Sequence, residues 1–224
     1  MTDIVLHQWE ISPFCGKVRR ILEHKGLPYQ VRNYNGLLAL QVGKLSPAGK
    51  LPVLDIDGER IQDSRRIAAA LEQRFPAQPL VPADPVQRAQ MEILQDWADE
   101  SLYWYEVYFR AQYDAAWEQL VGLLCEGRPF WEKPILNTVA RPQFRRSLKA
   151  QGIGRMDKAA VEMRFSLLLQ SLDTQLAGRQ WLVGESKTLA DIAVASQLHE
   201  ILRTSHLGAA IAGATQVSRW LHTL

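Results

Sequence analysis

Four prolines at every third position, Pro76, Pro79, Pro82 and Pro85, do more than any other feature to limit what this chain can fold into. Each lacks a backbone donor and pushes the residue before it out of the helical region, so neither a helix nor a central strand runs through them. The stretch reads as an ordered, extended connection. It divides the chain into residues 1–76, a linker over 77–85, and residues 86–224.

The two sides differ in hydrophobic period. Before the prolines, residues 4–9 form an apolar run of strand length, and Phe14, Val18, Ile21 and Leu22 follow at helical spacing with Gly26 as a stop signal. Residues 27–32 read as a second strand. Residues 51–56 and 60–62 flank Asp57-Gly58, a strong hairpin turn pair, and 64–75 are helical up to Pro76. The order is β-α-β, a long connection, then β-β-α, which is the thioredoxin plan. After the prolines there is no strand pattern. Residues 86–122 read as one long helical stretch, and residues 159–176 carry apolar side chains at helical spacing. Thr188-Leu189-Ala190-Asp191 is a capping box that opens a further helix. The predicted fold is an α/β thioredoxin-like N-terminal domain plus an all-α C-terminal helical bundle.

Composition removes several classes of function. With 47% hydrophobic and 22% charged residues the chain is of ordinary globular type. A net charge of +2 gives no basis for binding nucleic acid or an anionic membrane. There is no apolar run of membrane-spanning length and no basic-then-apolar leader, so a cytoplasmic protein is expected. Cys15 and Cys125 are too few for a disulfide framework and read as reduced thiols. No cluster of His and Cys has metal-ligand spacing, so no metal is expected.

Three short motifs carry the chemistry. Ser12-Pro13-Phe14-Cys15 follows the first strand and opens the first helix. Serine caps, and proline suits the first helical position. The same helix start presents unpaired amides and a partial positive charge, which favours a thiolate, and the Ser12 hydroxyl would donate to its sulfur. Cys15 reads either as a small buried apolar group or as a thiol within reach of that field. In Gly49-Lys50-Leu51-Pro52-Val53, a cis bond before Pro52 would open the backbone of Leu51 to an extended peptide pairing like an added strand. Gln62-Asp63-Ser64 opens the helix after the hairpin, as a plain cap or as a carboxylate-binding helix start.

Together, SPFCGKVR at 12–19, SPAGKLPVL at 46–54, QDS at 62–64 and WLVGE followed by TLAD near 181–191 resemble the glutathione transferase superfamily over nearly the whole chain. The SPF pattern is similar to serine-type, bacterial-like members. Residues 151–155 resemble a segment of a subgroup that includes metaxin-type proteins. The resemblance implies glutathione as co-substrate and a homodimer. It implies that Ser12 stabilises the glutathione thiolate, that Val53 beside Pro52 pairs with the cysteinyl part, and that Ser64 holds the γ-glutamyl carboxylate. Asp63 then lies near the γ-glutamyl amine and Lys50 near the glycine carboxylate. Redox relatives have cysteine where Ser12 stands, which disfavours disulfide exchange there. Cys15 occupies the resolving-cysteine position, and a thiol role for it stays open.

Residues 97–117 are rich in aromatics, most of which read as helix core. Trp9, Trp104 and Tyr108 are the candidates for an apolar acceptor pocket between the domains. Arg145, Arg146, Lys149, Arg155 and Lys158 read as a solvated basic face. The expected activity is transfer of glutathione to a small electrophile. The alternatives are a glutathione-dependent isomerase, peroxidase or dehalogenase, or a non-catalytic interaction protein of the same fold.

Overall fold

Ile4 and Leu6 alternate with Val5 and His7 along β1 (Ile4–Gln8), so one face of this strand enters an apolar core while the other carries a buried imidazole. In the computed structural model, which describes residues 2–224, β1 pairs with β2 (Gln30–Asn33) in parallel and with β3 (Val53–Ile56) antiparallel. The antiparallel strand β4 (Glu59–Gln62) completes a sheet of order β2-β1-β3-β4. The connections explain the mixture. Helix α1 (Pro13–His24) supplies the crossover that a parallel pair requires. Asp57 and Gly58, both at positive φ (49° and 84°), close the tight hairpin between β3 and β4. The predicted second strand starts late because Leu27 still belongs to the end of α1. Gly26 adopts φ +64°, and the Leu27 amide donates back to Leu22 O at 2.9 Å.

Helix α2 (Val42–Leu45), preceded by a tight turn of helix over Gly36–Gln41, fills the connection from β2 to β3, and α3 (Ser64–Arg74) follows the hairpin. The proline-rich residues after it, 75–84, form neither helix nor strand, and the fourth proline, Pro85, opens the next helix. They are anchored by fully buried Leu80, whose carbonyl accepts the Leu189 amide at 3.0 Å. The rest of the described chain is helical: α4 (Pro85–Trp97), α5 (Tyr103–Gln112), α6 (Asp114–Leu124), α7 (Glu132–Gln151), α8 (Lys158–Gln175), α9 (Leu189–Thr204), α10 (Gly208–Gly213) and α11 (Thr215–Leu221). A wide π turn, Ala98–Leu102, joins α4 to α5. The stretch predicted as one helix over 86–122 therefore breaks at Tyr113, which is extended (φ −110°, ψ 130°).

Helix α9 is central. Of its 16 residues 13 are buried, so it is packed on every side, against α1, α4 and α5 among others. The capping box is formed as the sequence predicts. Asp191 accepts from the Thr188 amide and hydroxyl at 2.9 Å each, and also from Leu182 N at 2.8 Å and Trp220 Nε1 at 3.0 Å. One apolar cluster runs from Leu6 and Leu54 in the sheet through Val18 and Ile21 of α1 to Ala193 and Ile201 of α9 and Trp220 of α11. Among the described residues no helix is long and apolar enough to cross a membrane.

The basic segment at the end of α7 is only partly a solvated face. Arg145 donates to Ala111 O at 3.1 Å and Arg141 to the same oxygen at 3.0 Å, so the two share one carbonyl in the last turn of α5. Lys158 lies 4.4 Å above the Tyr113 ring. Arg146, Lys149 and Arg155 are exposed.

Candidate active site

Ser12 is the N-cap of α1, with extended backbone (φ −84°, ψ 125°) and Pro13 in the first turn. Its amide is held by Trp9 O at 3.1 Å. Its Oγ accepts a long bond from the Cys15 amide at 3.4 Å and is partly exposed. A hydroxyl that accepts in this way keeps its one hydrogen to turn toward an incoming anion, at a helix end whose dipole favours negative charge.

Cys15 lies one turn in and is fully buried. Burial pushes its thiol up to about 11, against the smaller opposing effect of the Ser12 hydroxyl. It packs with Val42, Leu51 and Val53 in a small cluster of its own, which brings the start of α1 against the segment around Pro52. The Leu51–Pro52 bond is cis. Val53 is fully buried at the start of β3 and has a strand on each side, His7 of β1 and Gln62 of β4. Both its edges are thus taken up by the sheet, and the backbone left outside the ladder is that of Leu51. Lys50 is exposed.

The third motif is tied to the segment leading to Pro52 through Gln62, whose Oε1 accepts from the Ser46 hydroxyl at 2.7 Å. Asp63 is exposed and caps α3, accepting from the Arg65 and Arg66 amides at 2.9 and 3.1 Å. Its φ of +78° lies where an L residue is strained. Ser64 is 5% exposed at the first position of α3. All three motifs thus meet at one end of the sheet, after β1, before β3 and after β4.

The proposed acceptor aromatics differ in setting, and Trp9 packs against the cluster of Cys15, Leu51 and Val53. Tyr108 is 2% exposed and packs edge-on to Phe109 in the core, leaving no face for a substrate. Half-buried Trp9 donates its Nε1 to Tyr34 O at 2.8 Å and packs beside Ile11 and Trp117. Trp104 stacks on Tyr103, which in turn stacks on Phe14.

The sequence reading did not find the ionic framework behind the site. The loop leading to Ser12 is held by arginines. Arg19 donates to Glu10 O at 2.9 Å, Arg110 to Ile11 O at 3.1 Å, and Arg203 grips the Glu10 carboxylate with two bonds of 2.8 Å. Buried Arg110 also donates to Thr204 Oγ1 at 2.8 Å and Glu200 Oε2 at 2.6 Å, and pairs with Glu106. Glu106 is 1% exposed and its Oε2 has no partner; burial pushes its carboxyl up to about 8, against the Arg110 charge. A second buried pair, Lys17 Nζ to Asp99 Oδ2 at 2.7 Å, joins α1 to the π turn. Burial pulls Lys17 down and pushes Asp99 up, so here the loss of water outweighs the pairing for both partners. The one sequence signal for any of this is the four-residue spacing of Glu106 and Arg110 on one helix.

Comparison with known proteins decides the family. Residues 6–79 match the model of the glutathione S-transferase N-terminal domain, and residues 144–224 match that of the C-terminal domain. The chain belongs to the glutathione S-transferase superfamily. It is 26% identical over 195 residues to the isoprene-epoxide–glutathione S-transferase of Rhodococcus sp. strain AD45, covering 86% of this chain and 81% of that one. A glutathione S-transferase structure from Methylobacillus flagellatus with glutathione bound superposes with a TM-score of 0.65 at 25% identity, over 99% of this chain and 94% of that one. The beta-etherase LigF of Sphingobium shares the fold, with a TM-score of 0.73 at 20% identity over 98% and 93% of the two chains.

Proposed function

We propose that this superfamily member is a cytoplasmic, homodimeric glutathione transferase that activates the thiol of glutathione and adds it to a small apolar electrophile. The observation that carries the reading is Ser12, a partly exposed hydroxyl at the N-cap of α1, beside the cis Leu51–Pro52 bond and the start of α3. A tripeptide with two carboxylates fits a strand-like backbone contact flanked by cationic or dipolar ends. The cysteinyl backbone pairs with Leu51, the γ-glutamyl carboxylate meets Ser64 and the α3 amides, its amine meets Asp63, and Lys50 faces the glycine carboxylate. Ser12 then donates to the sulfur. The α1 dipole and this bond favour the thiolate, which attacks the electrophilic carbon while the leaving group, or a ring oxygen, takes the electron pair. The Rhodococcus relative's name makes epoxides the first electrophiles to try.

The test is an absorbance titration of bound glutathione in wild type and Ser12→Ala. A charge-assisted hydrogen bond lost to the thiolate raises the bound thiol's pKa by roughly 1–2 units while glutathione still binds. Equal pKa values in the two proteins would remove Ser12 from the mechanism. A second reading, a non-catalytic interaction protein, is favoured by Tyr108, which is buried in the core and offers no face to an acceptor. Calorimetry separates the two, since that reading predicts no heat at millimolar glutathione.

A further inference from the structure

Away from the three motifs, two adjacent arginines of α1, Arg20 turned toward α9 and Arg19 toward the end of β1, open on a cleft of about 300 Å³ lined by Arg19, Arg20, Glu23, His199 and Leu224. Gly16 makes the room for them: a Cβ there would stand 3.1 Å from Arg20 Nη1 and 3.5 Å from Arg19 Nη2. Their partners are neutral. Arg19 donates to Gln8 Oε1 at 2.5 Å and to Glu10 O at 2.9 Å, while Arg20 reaches Ser196 Oγ at 3.4 Å and His199 Nδ1 at 3.0 Å. The nearby acids are engaged elsewhere. Arg203 takes the Glu10 carboxylate, Arg110 takes Glu200, and Glu23 accepts from Tyr29 at 3.1 Å. Among the described residues neither guanidinium has a carboxylate within ion-pairing distance; burial and the Arg19 charge work against the Arg20 cation, while Glu23, which lines the cleft, and Glu200 favour it from further off.

The His199 ring records the same imbalance. Its Nδ1 is 3.0 Å from Arg20 Nη2 and 2.9 Å from Ala195 O. Arginine only donates and a carbonyl only accepts, so one nitrogen cannot satisfy both. An anion that drew Arg20 to itself would leave Nδ1–H to the carbonyl. It would also offset the repulsion between the two arginines.

We propose that Arg19, Arg20 and His199 form an oxyanion site between α1 and α9 that takes a phosphate-type dianion, either inorganic phosphate or a small phosphomonoester. Guanidinium and imidazole donors approaching from two helices suit a tetrahedral group with several acceptor oxygens better than a single planar carboxylate. The site is separate from the glutathione reading and stands or falls without it.

Calorimetry with inorganic phosphate at fixed ionic strength tests it. Wild type is expected to bind one phosphate, and Arg20→Gln to bind roughly tenfold more weakly or worse, the cost of one charge-assisted contact. Arg146→Gln, which removes an exposed charge on α7, should leave binding unchanged. No binding by wild type, or an equal loss in Arg146→Gln, overturns the proposal. So does tighter binding of citrate than of phosphate. A parallel titration with glycerol phosphate distinguishes the two sources: binding at least as tight as phosphate's assigns an ester, and weaker binding assigns the free ion. If Arg20→Gln fails to fold, phenylglyoxal modification of wild type read by peptide mass spectrometry replaces it. Phosphate must then protect Arg20 and not Arg146, and absence of protection overturns the site.

Discussion

The serine and the cysteine of the first helical turn lie three residues apart and meet different surroundings. Ser12 keeps contact with solvent, while Cys15 lies under the helix with its thiol pushed up to about 11. At neutral pH such a thiol holds a negligible thiolate fraction, and no reagent reaches it. Cys125 is also buried, and burial raises its thiol too. Neither cysteine should therefore react with a thiol reagent in the native protein, and both should react in denaturant. A fast-reacting native thiol mapped to Cys15 would restore its redox role. Asp63 allows capping and binding to be separated. Asp63→Asn keeps a cap and tolerates positive φ, so stability should change by less than about 0.5 kcal/mol, while glutathione affinity falls roughly tenfold with the charge lost opposite its amine. A calorimetric Kd equal to wild type would take Asp63 out of the site. The helix cap at Ser12, the cis bond at Pro52 and the helix start at Ser64 were legible in the sequence because each is set by its own local backbone. Lys17, Asp99 and Glu200 were not, because each lies on a different element from its partner, and the spacing of Glu106 and Arg110 on α5 does not show that the pair is buried.

At the scale of elements, local rules succeeded wherever the reason for an element lay within it. The Asp57-Gly58 hairpin, the Gly26 stop and the capping box are cases of this. The long helix over 86–122 failed at Tyr113, whose extended backbone is secured from outside. The Tyr113 ring stacks on His206 at 4.2 Å, its hydroxyl pairs with Glu162, and Lys158 covers its face. Nothing in residues 110–116 announces contacts supplied by α8 and the α9–α10 corner. Likewise, only the sheet order shows that β3 is internal, so that Val53 has a strand on each side and the backbone just outside the ladder is that of Leu51. The capping box also does more than its sequence shows. Asp191 gathers four donors from three segments in a fully buried place. Asp191→Ala would strand buried donors at Leu182, Thr188 and Trp220, and should lower the unfolding free energy by roughly 3 kcal/mol or more. Urea titration of the variant checks this, and a loss under about 1 kcal/mol would show that the donors find other partners.

The whole molecule is held across its two halves by apolar packing and by buried charge, and the two depend on pH differently. The apolar cluster is continuous from sheet to α11, so fluorescence and circular dichroism should follow one coincident unfolding transition; two separated transitions would show that the halves unfold independently. The buried charge adds a pH dependence of definite sign. The Glu106 carboxyl has its usual value near 4.5 when unfolded and is raised to about 8 by burial in the folded protein. The folded state therefore binds this proton more tightly. Its contribution is fully present below about pH 4.5 and is lost as pH rises toward 8, with a slope of at most about 1.4 kcal/mol per pH unit. Glu200, raised in the same direction by burial, adds to the trend. Glu106→Gln keeps the shape and a polar contact to Arg110 but has no proton to lose. Stability measured by urea unfolding should then fall with pH more steeply in wild type than in the variant, with the two curves close together near about pH 5 and the variant more stable at pH 8. Parallel curves would mean that Arg110 keeps Glu106 ionised throughout. The loop at Ser12 would then be held by a permanent salt bridge, and its grip would not loosen as pH changes.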